Sequence, residues 1–163
     1  MRKSFYALSV LAIAIAPASA FAGAGGTDCA SARTIFFQGT SYSGDTSAPG
    51  YGNPVGGFGP LPSPSNDAIY TFVANNTFGT ITVTAAGYNY GIFLTTNCAG
   101  TTAPPIQAAT GPAVGGSFPV SGLTNGQQYF VIMSGNPSDS SAPNGSYTFI
   151  TSFPVDLQSF TIE

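Results

Sequence analysis

The strongest constraint on this chain is the spacing of its apolar residues. They come in short runs without helical periodicity, and Gly, Pro, Asn or Ser closes each run. The runs fall at 34–38, 69–73, 79–84, 91–95, 106–109, 117–120, 128–134, 146–151 and 157–162. Short runs rich in β-branched and aromatic residues read as strands, and turn signals between them point to a sandwich or barrel. In "TITVT", Ile81 and Val83 alternate with Thr80, Thr82 and Thr84, the mark of a strand with one buried face. "YFVIM" is apolar throughout, which predicts a central strand covered on both faces. The expectation is one all-β domain, a jelly-roll-like antiparallel β-sandwich of about eight or nine strands. The 21 Gly and 13 Pro would also suit a disordered chain, but 13% aromatic residues supply enough apolar surface to offset chain entropy.

The first residues read as a targeting segment. Arg2 and Lys3 form a basic start, Phe5 to Ile15 are apolar, and Pro17 precedes the small residues Ala18-Ser19-Ala20. This is a bacterial-type signal peptide over residues 1–22, with cleavage after Ala20 or after Ala22. The apolar run is too short for a stable anchor, and no second long run follows, so no transmembrane segment is expected after its removal. The expected location is secreted, periplasmic or at the cell surface after Sec-type export. The domain itself is expected over 23–163, with a long Gly/Pro-rich loop at 47–67 and a short C-terminal strand or tail at 154–163. Cys29 and Cys98 are the only cysteines. An even count in an oxidising compartment favours a disulfide over two buried thiols.

Charge narrows the partners. Beyond the targeting segment Arg33 is the single basic residue, set against six acids. Such a chain has no footprint for nucleic acid or anionic lipid. It also has few tools for catalysis. There is no His, no Lys beyond Lys3, and the only Glu is Glu163. A Ser-His-Asp site is excluded, as are Schiff-base chemistry and the usual zinc ligand. A hydrolase built on paired carboxylates would need two of Asp28, Asp45, Asp67, Asp139 and Asp156 to converge, and turn formation explains them more simply. The expectation is a protein that is not an enzyme and carries no cofactor.

Several segments, in order, resemble a known family. They are "TDCASARTI", "GTSYSGDTS", "NDAIYTFVANNTFGTITVTAAG", "GIFLTTNCAG", "VSGLTNGQQYFVIMSG" and "NGSYTFITS". Together they look like the bacterial pre-peptidase C-terminal domain, over most of residues 27–152. Asp67, Tyr70, Phe72, Cys98, Gly126, Tyr129, Gly145 and Tyr147 stand where that pattern places its acid, aromatic, Cys and Gly residues. The resemblance implies a jelly-roll-like sandwich of exported proteins. The chain departs from the pattern at Asn89, where the family often has an Asp, and this weakens any transfer of calcium binding.

Function is then sought on loops, where a rigid scaffold presents its contacts. The 47–67 loop is the leading surface, and Tyr51, Phe58, Tyr88 and Tyr90 are the candidate contact rings. The polar stretch "NPSDSSAPNG", residues 136–145, is read as turn residues that reverse the chain between two apolar strands; ten residues is long for a hairpin, so a crossing between sheets is the alternative. Its single acid is too few for calcium, so no metal site is favoured; Asp45, Asp67 and Asp139 are only weak calcium candidates. The leading expectation is a non-catalytic module that contacts an extracellular polysaccharide or protein. The alternative is a self-assembling subunit of a fibre or surface layer, because the chain has almost no charge with which to guard its strand edges.

Overall fold

Period-two alternation does set the strands. In a computed structural model, residues 21–22, 24–35, 38–56, 65–99, 106–111, 116–136 and 144–153 are described. Ten strands form: β1 (Phe21–Ala22), β2 (Arg33–Thr34), β3 (Gln38–Asp45), β4 (Ala68–Val73), β5 (Phe78–Ala86), β6 (Tyr90–Thr95), β7 (Gln107–Gly111), β8 (Gly116–Ser121), β9 (Gln128–Gly135) and β10 (Ser146–Ser152). They make two five-stranded sheets, ordered β1-β3-β10-β5-β8 and β2-β4-β9-β6-β7. No described helix is long and apolar enough to cross a membrane.

The eight longer strands pair as a nest. β6 pairs with β7, β5 with β8, β4 with β9 and β3 with β10, all antiparallel. A long hairpin rolled across two sheets gives this order, which is the jelly roll. The connections β3–β4, β5–β6, β7–β8 and β9–β10 therefore gather at one end of the sandwich. Those of β4–β5, β6–β7 and β8–β9 gather at the other. β9 and β10 lie in different sheets, so of the two readings of the stretch between them the crossing holds and the hairpin does not.

Ile81 and Val83 point inward and are fully buried, while Thr80, Thr82 and Thr84 face outward. The space between the sheets is filled mostly by rings. Tyr42 stacks on Phe149 at 5.1 Å, Tyr70 meets Phe149 edge-on at 4.9 Å, and Phe72 lies 4.8 Å from Phe153. Such pairs contribute about 0.5–1.5 kcal/mol beyond their buried area. Gly79 leaves room for one of these rings, since a Cβ there would overlap Phe153.

A second apolar cluster covers the outer face of the β2-β4-β9-β6-β7 sheet. Val55, Ile69, Phe93, Cys98 and Ile132 are buried there, with Cys29, Ala32 and Phe130 packed against them. This explains the unbroken apolar run of β9. Val131 and Met133 face the inter-sheet core, and Ile132 faces the outer cluster. The cover is the N-terminal segment, held in two ways. Cys29 and Cys98 form a disulfide with Cα atoms 5.7 Å apart. Gly26 and Ile69 exchange backbone hydrogen bonds of 2.8 and 2.9 Å.

One expectation about strands is corrected. The run at 34–38 is not one strand: β2 stops at Thr34, Ile35 turns into the core, and β3 begins at Gln38. β3 then continues to Asp45 through a stretch whose only large apolar residue is Tyr42. The proposed strand at 157–162 and the signal peptide up to Ala20 lie outside the described residues. Phe21 and Ala22, between the two candidate cleavage points, pair in parallel with Ser41 and Tyr42 of β3.

Candidate contact site at one end of the sandwich

The end that gathers β3–β4, β5–β6, β7–β8 and β9–β10 is braced from beneath by buried polar groups. Asp67, Ser65 and Ser134 are all buried. The Gly135 N–H donates to Ser65 Oγ, Ser65 Oγ lies 2.8 Å from Ser134 Oγ, and Ser134 donates to Asp67 Oδ1 at 2.6 Å. Since the Ser134 proton is committed to the carboxylate, Ser65 is the donor between the two hydroxyls. The other carboxylate oxygen, Oδ2, accepts from the Val55 N–H at 3.2 Å, and the Asp67 N–H donates to Gly52 O at 2.7 Å. One buried acid thus ties both roots of the long β3–β4 loop to β9. Leaving such a group unpaired would cost about 1–3 kcal/mol or more.

A second brace joins that loop to the β9–β10 connection. Thr46 N–H donates to Gly145 O at 3.0 Å, Asn66 N–H donates to Asn144 Oδ1 at 2.7 Å, and Asn66 Nδ2 donates to Thr46 O at 2.8 Å. Asn144 and Gly145 are therefore structural at this root, in keeping with their turn chemistry.

The candidate rings are placed as follows. Tyr51 is half-buried, and its hydroxyl donates to Gly25 O at 2.8 Å, pinning the long loop on the N-terminal segment. Burial, with the charge of Asp45, raises its pKa. Tyr88 and Tyr90 are corrected from loop rings to core rings, at 2% and 3% exposure. Each is flanked by Gly or Asn, which resembles a loop in sequence, but the alternation Tyr90, Ile92, Leu94 carries all three inward. The Tyr88 hydroxyl is buried without a partner in hydrogen-bond geometry among the described residues. Burial pushes this phenol's pKa up, with the Thr46 hydroxyl drawing it the other way. Phe58 lies outside the described residues.

The two described acids considered for calcium, Asp45 and Asp67, are each engaged in local hydrogen bonds. Asp45 is at the surface, and its Oδ1 accepts from Ser47 N at 2.8 Å and Ser47 Oγ at 2.5 Å, which lowers its pKa. Asp67 is the buried brace already described. Asp139 lies outside the described residues. No group of three or more metal-binding side chains occurs among the described residues.

Above the braces lies an open cleft of about 330 Å³, lined by Asn89, Thr110, Gly111 and Asn136. It brings together three places that are far apart in sequence: the β5–β6 connection at Asn89, the end of β7 at Thr110 and Gly111, and Asn136 just after β9. Its wall is fixed by the Asn136 N–H donating to Asn89 O at 2.9 Å. Two carboxamides, one hydroxyl and backbone groups can donate and accept hydrogen bonds, and none is charged. Sequence reasoning noticed Asn89 only as a departure from a family pattern and Asn136 only as a member of the polar 136–145 stretch, and it did not find Thr110. Only the rolled topology makes them neighbours. No family model, curated protein or solved structure matches this chain.

Proposed function

We propose that this protein is an exported, non-catalytic β-sandwich module, similar to the pre-peptidase C-terminal domain, that contacts an extracellular polymer or protein through its braced loop end. The neutral cleft of Asn89, Thr110, Gly111 and Asn136 carries the reading. Its donor and acceptor set suits a hydroxyl-rich polymer, which such groups recognise without charge. The disulfide supports export, because such bonds persist in oxidising compartments.

The self-assembling alternative draws on exposed strand edges, and one side of the sandwich weighs against it. Gln107 of edge strand β7 reaches across to edge strand β8. Its Oε1 accepts from Ser121 N–H at 3.0 Å, and its Nε2 lies 3.5 Å from Pro119 O. Pro119 itself has no N–H to offer, so this edge is occupied and blunted.

The test is retention of the mature protein on immobilised neutral polysaccharides and on protein fractions from spent culture medium. Wild type should be retained by at least one of these, and Thr110→Arg, which fills the cleft, should not. Equal retention of both proteins, or ordered fibres of the wild type by electron microscopy, would sink the proposal.

A further inference from the structure

Two open sheets have four edges, and each edge is a template for pairing with another chain. Three of the four carry a guard of their own. Gln107 straps edge strand β7 to edge strand β8, and Pro119 interrupts the row of donors on β8. β2, the outer strand of its sheet, is two residues long and bears exposed Arg33, the only basic residue beyond Lys3. Short strands and charge are common defences of an edge.

β3 has neither. It runs for eight residues, Gln38–Asp45, without Lys, Arg or Pro, and its one charge, Asp45, stands at its far end. Its inner side pairs with β10. On its outer side lies β1, where Phe21 and Ala22 pair in parallel with Ser41 and Tyr42. This short strand replaces a long edge by a two-residue one.

The chain that follows β1 is firmly tied down. Three residues separate Ala22 from Gly26, and Gly26 exchanges backbone hydrogen bonds of 2.8 and 2.9 Å with Ile69. Gly25 is buried; its carbonyl accepts from the Tyr51 hydroxyl at 2.8 Å, and its N–H donates to the Tyr147 hydroxyl at 3.3 Å. From Gly26 back to Ala22 the chain reaches at most about 14 Å. A strand on so short a leash meets its edge at an effective concentration on the order of millimolar, well above that of a second copy in dilute solution. The same segment runs on to β2, so it guards one edge of each sheet.

The two acceptable cleavage points have opposite consequences for this guard. A cut after Ala22 removes β1. A cut after Ala20 keeps it and creates an α-ammonium group on Phe21, a positive charge at an edge strand that has no basic residue. We propose that the mature chain begins at Phe21 and that Phe21–Ala22 keeps β3 from pairing with a second copy of this chain. The position of the cut rests on the export reading; the role of β1 rests on the strand pairing alone.

The first test is the intact mass of the protein exported with its own leader from a bacterial host. The mass should match a chain that starts at Phe21. A start at Gly23, any other start or an uncut chain would overturn the cleavage assignment. The second test needs no export. Forms starting at Phe21 and at Gly23 are released from a removable tag and followed by size-exclusion chromatography with light scattering. The Phe21 form should stay monomeric, and the Gly23 form should at least double in mass as its concentration rises. Adding Ser41→Lys to the Gly23 form should restore the monomer, because a charge on β3 replaces the lost guard. A monomeric Gly23 form, equal association of both forms, or association that Ser41→Lys leaves in place would refute the guard. Retention on polysaccharide or protein fractions, which tests the loop end, is read separately on the Phe21 form.

Discussion

Removing the disulfide by Cys29→Ser with Cys98→Ser separates two ways in which the N-terminal segment could be held. The bridge spans a sequence separation of 69. In the chain-entropy model a closed loop of this length stabilises the fold by about 4 kcal/mol, through the unfolded state. For a domain of this size that is on the order of 15 °C in melting midpoint. The segment also has attachments of its own. Gly26 and Ile69 exchange two backbone hydrogen bonds, and Ala32 packs on the outer cluster. Asp28 and Ser31 close a local turn, with the Ser31 N–H donating to Asp28 Oδ1 at 2.7 Å. The folded state should therefore keep its cover when the bridge is absent. Urea unfolding of the double variant against the oxidised wild type should show a loss of about 4 kcal/mol. Hydrogen exchange in native buffer should still protect the Gly26 and Ile69 amides. A loss below about 1 kcal/mol would refute the entropic account. Early exchange at Gly26, well ahead of global unfolding, would show that the bridge alone keeps the outer cluster covered.

Three further outcomes follow from the buried rings and one glycine. Tyr88→Phe removes a buried hydroxyl that has no partner in hydrogen-bond geometry among the described residues and should be neutral or stabilising by about 1 kcal/mol. Tyr147→Phe should instead cost about 1–3 kcal/mol, because it strands the Tyr70 hydroxyl at 2.7 Å and the Gly25 N–H at 3.3 Å. Denaturant midpoints of the two variants check the pair. Stability should fall as pH rises above 10. Burial pushes the Tyr147 phenol up to about 12 from 10.0, against the pull of its hydrogen bonds with Tyr70 and Gly25, and burial raises Tyr70 as well. The unfolded chain then ionises while the folded one does not, so stability present below pH 10 is lost by about 1.4 kcal/mol per pH unit for Tyr147 until pH 12. Urea unfolding followed by far-ultraviolet circular dichroism from pH 8 to 12 reads this, and a flat profile would contradict it. Gly79→Ala should cost about 1–3 kcal/mol by driving a methyl into Phe153, whereas Gly52→Ala, which meets open space, should stay within about 0.5 kcal/mol.

What the sequence revealed and what it hid follow from one physical distinction. Strands that bury their own apolar residues were legible: "TITVT" and "YFVIM" predicted both position and facing. β3 was not, because its inner side is filled by Tyr42 and by a ring from another strand. Gly44 yields its space to Tyr147, so the strand carries little apolar signal of its own. The run at 34–38 misled for the opposite reason, since Ile35 is buried in the core just past the end of β2 and not within a strand. Tyr88 and Tyr90 looked like loop rings because their neighbours are turn residues, although period-two spacing with Ile92 and Leu94 already placed Tyr90 inside. The buried brace of Ser65, Asp67 and Ser134 and the cleft of Asn89, Thr110 and Asn136 left no local mark. Their members meet only when the hairpin nest rolls into two sheets, a long-range consequence that no short window contains.

The central claim is that contact with an extracellular polymer or protein is made at the loop end. Hydrogen exchange on the mature protein, free and held on whichever immobilised polysaccharide or protein fraction retains it, tests this directly. The account predicts slowed exchange confined to segments around Asn89, Thr110–Gly111 and Asn136, with 73–78 and 122–127 unchanged. Slowing at 73–78 and 122–127, with the cleft segments unaltered, would contradict it.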